Sequence, residues 1–239
     1  MGHVIVIDGL DGCGKTTQHE RINTILQNEY PNKVKPFSYP NYDSGSSEPI
    51  KMYLSGKISQ NMDDINPYAT SMFYSVDRYI GYLTEWKKYH DDDYHILLAR
   101  YTSSNLIHQM SKLPQTDWDK YIDWLYGIEM GKFGLPEESK IIFLSMDINI
   151  SQKYLTSRYS GDESKKDIHE SNIEYLMKCH DAAMYIANKY PEKWTIVKCD
   201  DGDKILSIDD ITYKILSALK SILDIDLSLI KTMLKTQEE

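Results

Sequence analysis

Gly9-Leu10-Asp11-Gly12-Cys13-Gly14-Lys15-Thr16 has the residue types and spacing of a phosphate-binding loop, the Walker A pattern. Its glycines let successive backbone N–H groups turn inward around phosphate oxygens. A helix starting behind the loop adds the partial positive charge of its N-terminus. In such a loop Lys15 reaches the β- and γ-phosphates of a nucleotide, and Thr16 offers its hydroxyl to Mg²⁺. Gly9, Gly12, Cys13, Gly14, Lys15, Thr16 and Thr17 are therefore the expected contacts of a phosphate donor such as ATP.

The pattern also has the required context, with an apolar β-branched run before it and helical spacing after it. A signalling GTPase would need a guanine-reading Asn-Lys-x-Asp. The Asn-Lys pairs here, Asn32-Lys33 and Asn188-Lys189, lack that Asp. A nucleotide kinase remains, and it needs a second site for a phosphate acceptor and a cationic lid. Arg78, Arg100, Arg158, Lys165 and Lys166 are the local cations that suit such sites.

The 239 residues carry a formal net charge of -9 and a pI near 5.3, so nucleic acid is not an expected partner. Three scattered cysteines, Cys13, Cys179 and Cys199, fit neither a disulfide framework nor a zinc site. Val4 to Ile7 is too short for a signal-peptide core, and no run approaches the ~18 apolar residues of a membrane span. The expectation is a cytoplasmic protein with no membrane partner.

Strands are expected over His3–Ile7, Val34–Tyr39, Tyr94–Leu98, Ile141–Met146 and Trp194–Val197. Helices are expected from Lys15 to before Pro31, around Ile50–Leu54, and over Asn66–His90. Further helices should contain Trp118–Ile128, His169–Tyr190 and Ile208–Leu223. In the Asn66–His90 helix, Met72, Ser75, Val76, Tyr79 and Leu83 should share one side. Asp91-Asp92-Asp93 reads as a solvated loop. This alternation implies an α/β protein: a three-layer P-loop kinase fold with a five-stranded parallel sheet flanked by helices. Residues 1–225 should form one domain, with a polar lid at about 157–169, and 226–239 a C-terminal tail.

From His3 to about residue 200 the chain resembles the thymidylate kinases. Asp8 to Gln18 is similar to that family's P-loop, and Phe73-Tyr74-Ser75-Val76-Asp77-Arg78 to its aromatic-x-x-Asp-Arg motif. Ala99-Arg100-Tyr101-Thr102-Ser103-Ser104-Asn105, with His108-Gln109, resembles its Asp-Arg-Tyr segment. Gly134-Leu135-Pro136 and the lid end Asp167-Ile168-His169-Glu170 complete the order. The resemblance implies transfer of the γ-phosphate of ATP to dTMP, with Mg²⁺, in a homodimer. It implies that Tyr74 stacks on thymine, that Arg78 donates to a thymine carbonyl, and that Asn105 with His108 or Gln109 completes the base contacts. Tyr42 would lie near the deoxyribose and Arg100 would clamp the acceptor phosphate. Asp11 would position the acceptor, by way of Mg²⁺-bound water. His169, like His108, stands where many members carry an aromatic residue, and would tune base or phosphate contacts. Some members carry a catalytic arginine inside the P-loop. Leu10, Asp11, Gly12 and Cys13 supply none, so Arg158 with Lys165 or Lys166, in the lid with Glu170, would meet the transition-state charge, as in the bacterial type.

Ala99 departs from the pattern, which has Asp before Arg100 to organise Mg²⁺ and its water shell. Three accounts remain open: Asp8 or Asp11 substitutes, the position was altered to trap a complex, or the chain is a weakened relative. A binding protein without catalysis and a nucleoside kinase on the same scaffold are the alternative functions.

Overall fold

The computed structural model describes residues 2–61, 64–158, 172–228 and 230. Five strands, β1 (Val4–Gly9), β2 (Val34–Ser38), β3 (His95–Ala99), β4 (Lys140–Ser145) and β5 (Trp194–Lys198), form one sheet in the order β2-β3-β1-β4-β5. Every pairing is parallel. Parallel strands need crossovers, and the helices that supply them cover both faces.

Alternation along each strand divides the core. Val4, Val6, Ile96, Leu98, Ile141 and Phe143 face one layer, packed with Trp86, Leu106, Leu125, Ala182, Ala183 and Ile186. Ile5, Ile7, Leu97, Ile142 and Leu144 face the other, with Ile22, Leu26, Ile215, Leu216 and Leu219. The second layer is built by α1 (Lys15–Glu29) and α9 (Ile208–Leu219). The first contains α3 (Pro67–Gly81), α5 (Thr102–His108), α6 (Trp118–Glu129) and α8 (Ile173–Lys189). Short α2 (Glu48–Leu54) follows the β2 loop, and α7 (Ile148–Arg158) follows β4. Beyond α9, Ile225 and Ile230 are buried in the second layer.

The long Asn66–His90 helix is continuous but changes winding. A π-helical turn, Tyr82–Trp86, joins α3 to α4 (Lys87–Asp91). Trp86 is fully buried there, donating Nε1–H to the Tyr39 hydroxyl at 2.8 Å. The side expected to carry Met72, Ser75, Val76, Tyr79 and Leu83 is not uniform, since Ser75 is buried and Tyr79 packs against the core. Val76 and Leu83 are 41% and 48% exposed, while Ser71, Ser75 and Arg78 are buried. Binary patterning fails because the inward side of α3 is a polar site lined by buried partners.

One buried group stands apart from the site. Glu138, just before β4, is buried, and its Oε1 has no hydrogen-bond partner among the described residues. Tyr126 OH donates to Oε2 only at 3.5 Å. Burial pushes the Glu138 carboxyl up to about 7 against the pull of Lys193. In the unfolded chain it returns to 4.5, so between pH 4.5 and 7 the native state alone keeps the proton. Its contribution is complete below pH 4.5 and is lost as pH rises to about 7. Glu138→Gln should remove this loss and raise stability above pH 7 relative to wild type by about 3 kcal/mol. Thermal melts from pH 4.5 to 8 check it. Parallel curves for the two proteins would refute the assignment.

Candidate active site

β1 ends at Gly9 and the chain turns through the loop into α1 with no insertion. Gly12 and Gly14 have φ of 79° and 86°. A Cβ on Gly12 would lie 2.8 Å from Ser151 O of α7, and one on Gly9 2.7 Å from Leu144 O. Glycine is thus required at both by close approach of backbone. Lys15 Nζ donates to Leu10 O at 2.7 Å and lies 3.3 Å from Asp11 Oδ1. Thr16 and Thr17 are exposed at the start of α1. Cys13 is 1% exposed and packs in the core below the loop, where burial raises its thiol pKa.

The pairing of Ile7 with Ala99 puts Asp8 and Arg100 side by side at the strand ends. Arg100 takes φ 65°, uncommon for a side chain other than glycine, while its N–H bonds Ile7 O at 3.0 Å. Its Nη2 donates to Asp11 Oδ1 at 2.5 Å, and Nη1 to Asp8 Oδ1 at 3.5 Å. Burial works against the charge, but Asp11 and then Asp8 outweigh it and hold the guanidinium above its ordinary pKa. Asp8 is fully buried and saturated: Gly9 N–H reaches Oδ1 at 2.8 Å, and Ser103 and Ser104 hydroxyls both donate to Oδ2 at 2.7 Å. Burying a carboxylate requires this degree of satisfaction.

Arg78 has a different environment. It is 1% exposed and pairs with fully buried Glu129 of α6, Nε to Oε2 at 2.8 Å and Nη2 to Oε1 at 2.5 Å. Burial would lower its pKa, but Glu129 more than compensates and raises it. Nη1 donates to Tyr101 O at 3.3 Å and Nη2 to Ser75 Oγ at 3.5 Å, so four of its five N–H groups are engaged. The neighbouring Asp77 instead accepts from Asn41 N and Ser46 Oγ.

One cavity of about 800 Å³ joins these groups. Gly12 to Thr17 and Asp11 line one end, beside Met146, Leu155 and Ile208. Tyr42, Tyr74, Arg78, Asn105, His108 and Gln109 line the other, with Ala99 and Arg100 also in the wall. Asn105 is 1% exposed and donates Nδ2–H to Ser71 O at 3.3 Å. Gln109 is 1% exposed, and neither its Nε2 nor its Oε1 has a partner among the described residues. A buried, unpaired amide costs about 1–3 kcal/mol and points to a ligand with both a donor and an acceptor. Of the expected site residues, Arg158 closes α7 but its side chain, with Lys165, Lys166, His169 and Glu170, lies outside the described residues.

Sequence reasoning missed Glu129, Ser75, Ser103 and Ser104, and the Ile205–Ile211 wall. Glu129 left a trace: it continues the buried helical stripe of Trp118, Tyr121, Ile122 and Leu125, where an acid demands a buried cation. The two serines showed none, because their role depends on the register of β1 against β3.

Gln109→Met keeps the volume but removes the unpaired amide. It should raise thermal stability while weakening acceptor binding about tenfold by calorimetry. A variant with wild-type stability and affinity would show that the amide neither lacks partners nor meets a ligand.

Comparison with known proteins agrees with this geometry. The family model for thymidylate kinase matches residues 7–207. The chain is 25% identical over 227 residues to a probable thymidylate kinase of Methanococcus maripaludis, covering 92% of this chain and 96% of that one. It is 23% identical over 202 residues to the thymidylate kinase of Mycobacterium tuberculosis, covering 82% and 92%. Solved thymidylate kinases from Candida albicans and Ehrlichia chaffeensis share the fold, with TM-scores of 0.64 and 0.62 at 21% and 15% identity. They cover 92% of this chain each, and 92% and 100% of their own. With the family model matching most of its length and the phosphate loop opening on one polar-walled cavity, the chain belongs to the thymidylate kinase family.

Proposed function

We propose that the protein transfers the γ-phosphoryl group of ATP to dTMP, giving dTDP and ADP. The observation that carries this reading is the continuity of the site. One cavity runs from the phosphate loop to Gln109, and Arg100 is bonded to Asp11 at one side and lies against His108 at the other. Two ligands with phosphates meeting at Arg100 fit that arrangement, and in-line transfer needs little beyond positioning and charge stabilisation.

At the acceptor end Tyr74 would stack on thymine, and the free N–H of Arg78, with Asn105 and Gln109, would meet its polar edge. Tyr42 would lie along the sugar. Among the described residues Nε and one Nη2 N–H of Arg100 are not engaged, and these would meet the acceptor phosphate. At the donor end the loop N–H groups and Lys15 would hold the β- and γ-phosphates. Arg158, Lys165 and Lys166 are the cations proposed to close over the transferring group.

Mg²⁺ would enter with ATP rather than sit in a protein cage. Among the described residues no group of three or more His, Cys, Asp or Glu side chains could hold an ion. The exposed Thr16 hydroxyl and the Asp11 carboxylate suit an ion that takes one or two protein oxygens and completes its shell with phosphates and water. Bound there, it would neutralise developing phosphate charge. Asp8 is fully buried beneath Gly9, Ser103 and Ser104, whereas the Asp11 side chain, though paired with Arg100 and Lys15, is 26% exposed, so Asp11 is the better substitute for the acid absent at Ala99.

Residues 1–225 would act as one kinase domain, with 226–239 as an extension. The exposed Val76, Ile80 and Leu83 on one side of α3 and the π turn would be the face on which two copies meet. A cytoplasmic location is part of the same reading. No described helix is long and apolar enough to cross a membrane.

Ala99 favours a second reading, nucleotide binding without transfer. In a coupled ADP-release assay with dTMP and Mg-ATP, wild type should turn over, and Ala99→Asp should raise the rate about tenfold or more. No turnover from either protein would sink the kinase reading, whereas activity confined to Ala99→Asp would identify a silenced kinase. By sedimentation velocity wild type should be a dimer and Leu83→Glu a monomer. A monomeric wild type would refute the α3 interface.

A further inference from the structure

His108 ends α5 and was expected to touch the base, but its ring nitrogens face protein groups. Nε2 lies 3.1 Å from Arg100 Nη1. A guanidinium donates from every nitrogen and keeps its protons, so Nε2 must supply the lone pair. The imidazole is then neutral, with its proton on Nδ1. The surroundings fit that tautomer. The Tyr175 hydroxyl donates to His108 O at 2.8 Å, leaving its oxygen to accept from Nδ1–H at 3.4 Å. Cys179 Sγ is a second neighbour of Nδ1 at 3.6 Å. Its thiol is pushed by burial up to about 12, so it brings no negative charge that would favour an imidazolium.

We propose that His108 is a positioning residue for the acceptor-phosphate clamp. As the Nδ1–H tautomer, carried by Tyr175 and Cys179 of α8, it fixes the Arg100 guanidinium against Asp8 and Asp11. The two Arg100 N–H groups left over are thereby presented to the phosphate. Arg100 needs this third support because its backbone is already in a sparsely populated conformation and its Asp8 contact is long. The support comes from α8, which follows the basic lid segment directly in the chain, so the helix behind the lid and the clamp share one hydrogen-bonded link.

The identity of the phosphate as that of dTMP rests on the proposed function, and the test separates the two. Long-range ¹H–¹⁵N correlation spectra of the ligand-free protein, with His108→Gln to assign the signal, should show His108 neutral and protonated on Nδ1 at pH 7.5. A proton on Nε2, or on both nitrogens, would overturn the inference whatever the enzyme does. In kinetics and calorimetry, His108→Phe keeps the ring size but has no acceptor, while His108→Gln can place its amide oxygen where Nε2 was. His108→Phe should raise the KM and Kd for dTMP about tenfold with the KM for ATP unchanged, and His108→Gln should recover most of that loss. Equal effects from both substitutions, or equal losses for ATP and dTMP, would mean that His108 only fills space. If neither wild type nor Ala99→Asp phosphorylates dTMP, the kinase reading fails while the tautomer measurement still decides the role of His108.

Discussion

The architecture of the site hangs on the pairing of β1 with β3. Because Ile7 stands opposite Ala99, the next residues, Asp8 and Arg100, lie side by side where the β1–β3 pairing ends, at the sheet's carboxyl edge. That is where open parallel sheets bind ligands, since the strand ends splay and the helix N-termini point back toward them. The oppositely charged pair ties the phosphate loop, which grows from β1, to the acceptor wall, which grows from β3. A one-residue slip in register would separate the pair and exchange the two faces of β3.

Two buried carboxylates then set the limits of adjustment. Asp8 pairs with Arg100 from within a fully satisfied cluster, and Glu129 of α6 holds Arg78 of α3 within one helix layer. Among the described residues each guanidinium keeps part of its donor set for the cavity while the rest is held by protein groups. Stranding either carboxylate leaves an uncompensated charge, which is why these pairs are constraints more than sources of stability.

Much of this was legible in the sequence, for identifiable reasons. The five strands declare themselves as short apolar runs because parallel strands are buried on both faces, and the loop declares itself because phosphate binding needs glycine, lysine and threonine at fixed spacing. Of the expected site residues, Asp11 to Thr17, Tyr42, Tyr74, Arg78, Arg100, Asn105, His108 and Gln109 line one cavity, Gly9 is not in its wall, and the lid side chains lie outside the described residues. What could not be read depends on tertiary register. On the side shared by Met72, Ser75, Val76, Tyr79 and Leu83, Val76 and Leu83 face outward, while Ser75, with Ser71 and Arg78, turns inward to Glu129 and Tyr121. His108 reads as a base contact by position, and only the approach of Arg100 and Tyr175 gives its nitrogens another occupation.

The fit of Gly12 against α7 limits how this protein could change. A side chain at that position would strike the backbone of Ser151, and an arginine there would also need a φ near 79°. Placing a catalytic cation at Gly12 is therefore closed until α7 moves. Any lineage or design heading that way would have to accumulate changes in the right order, with helix repositioning before the charge. The reverse order would pass through molecules that fold poorly and gain nothing.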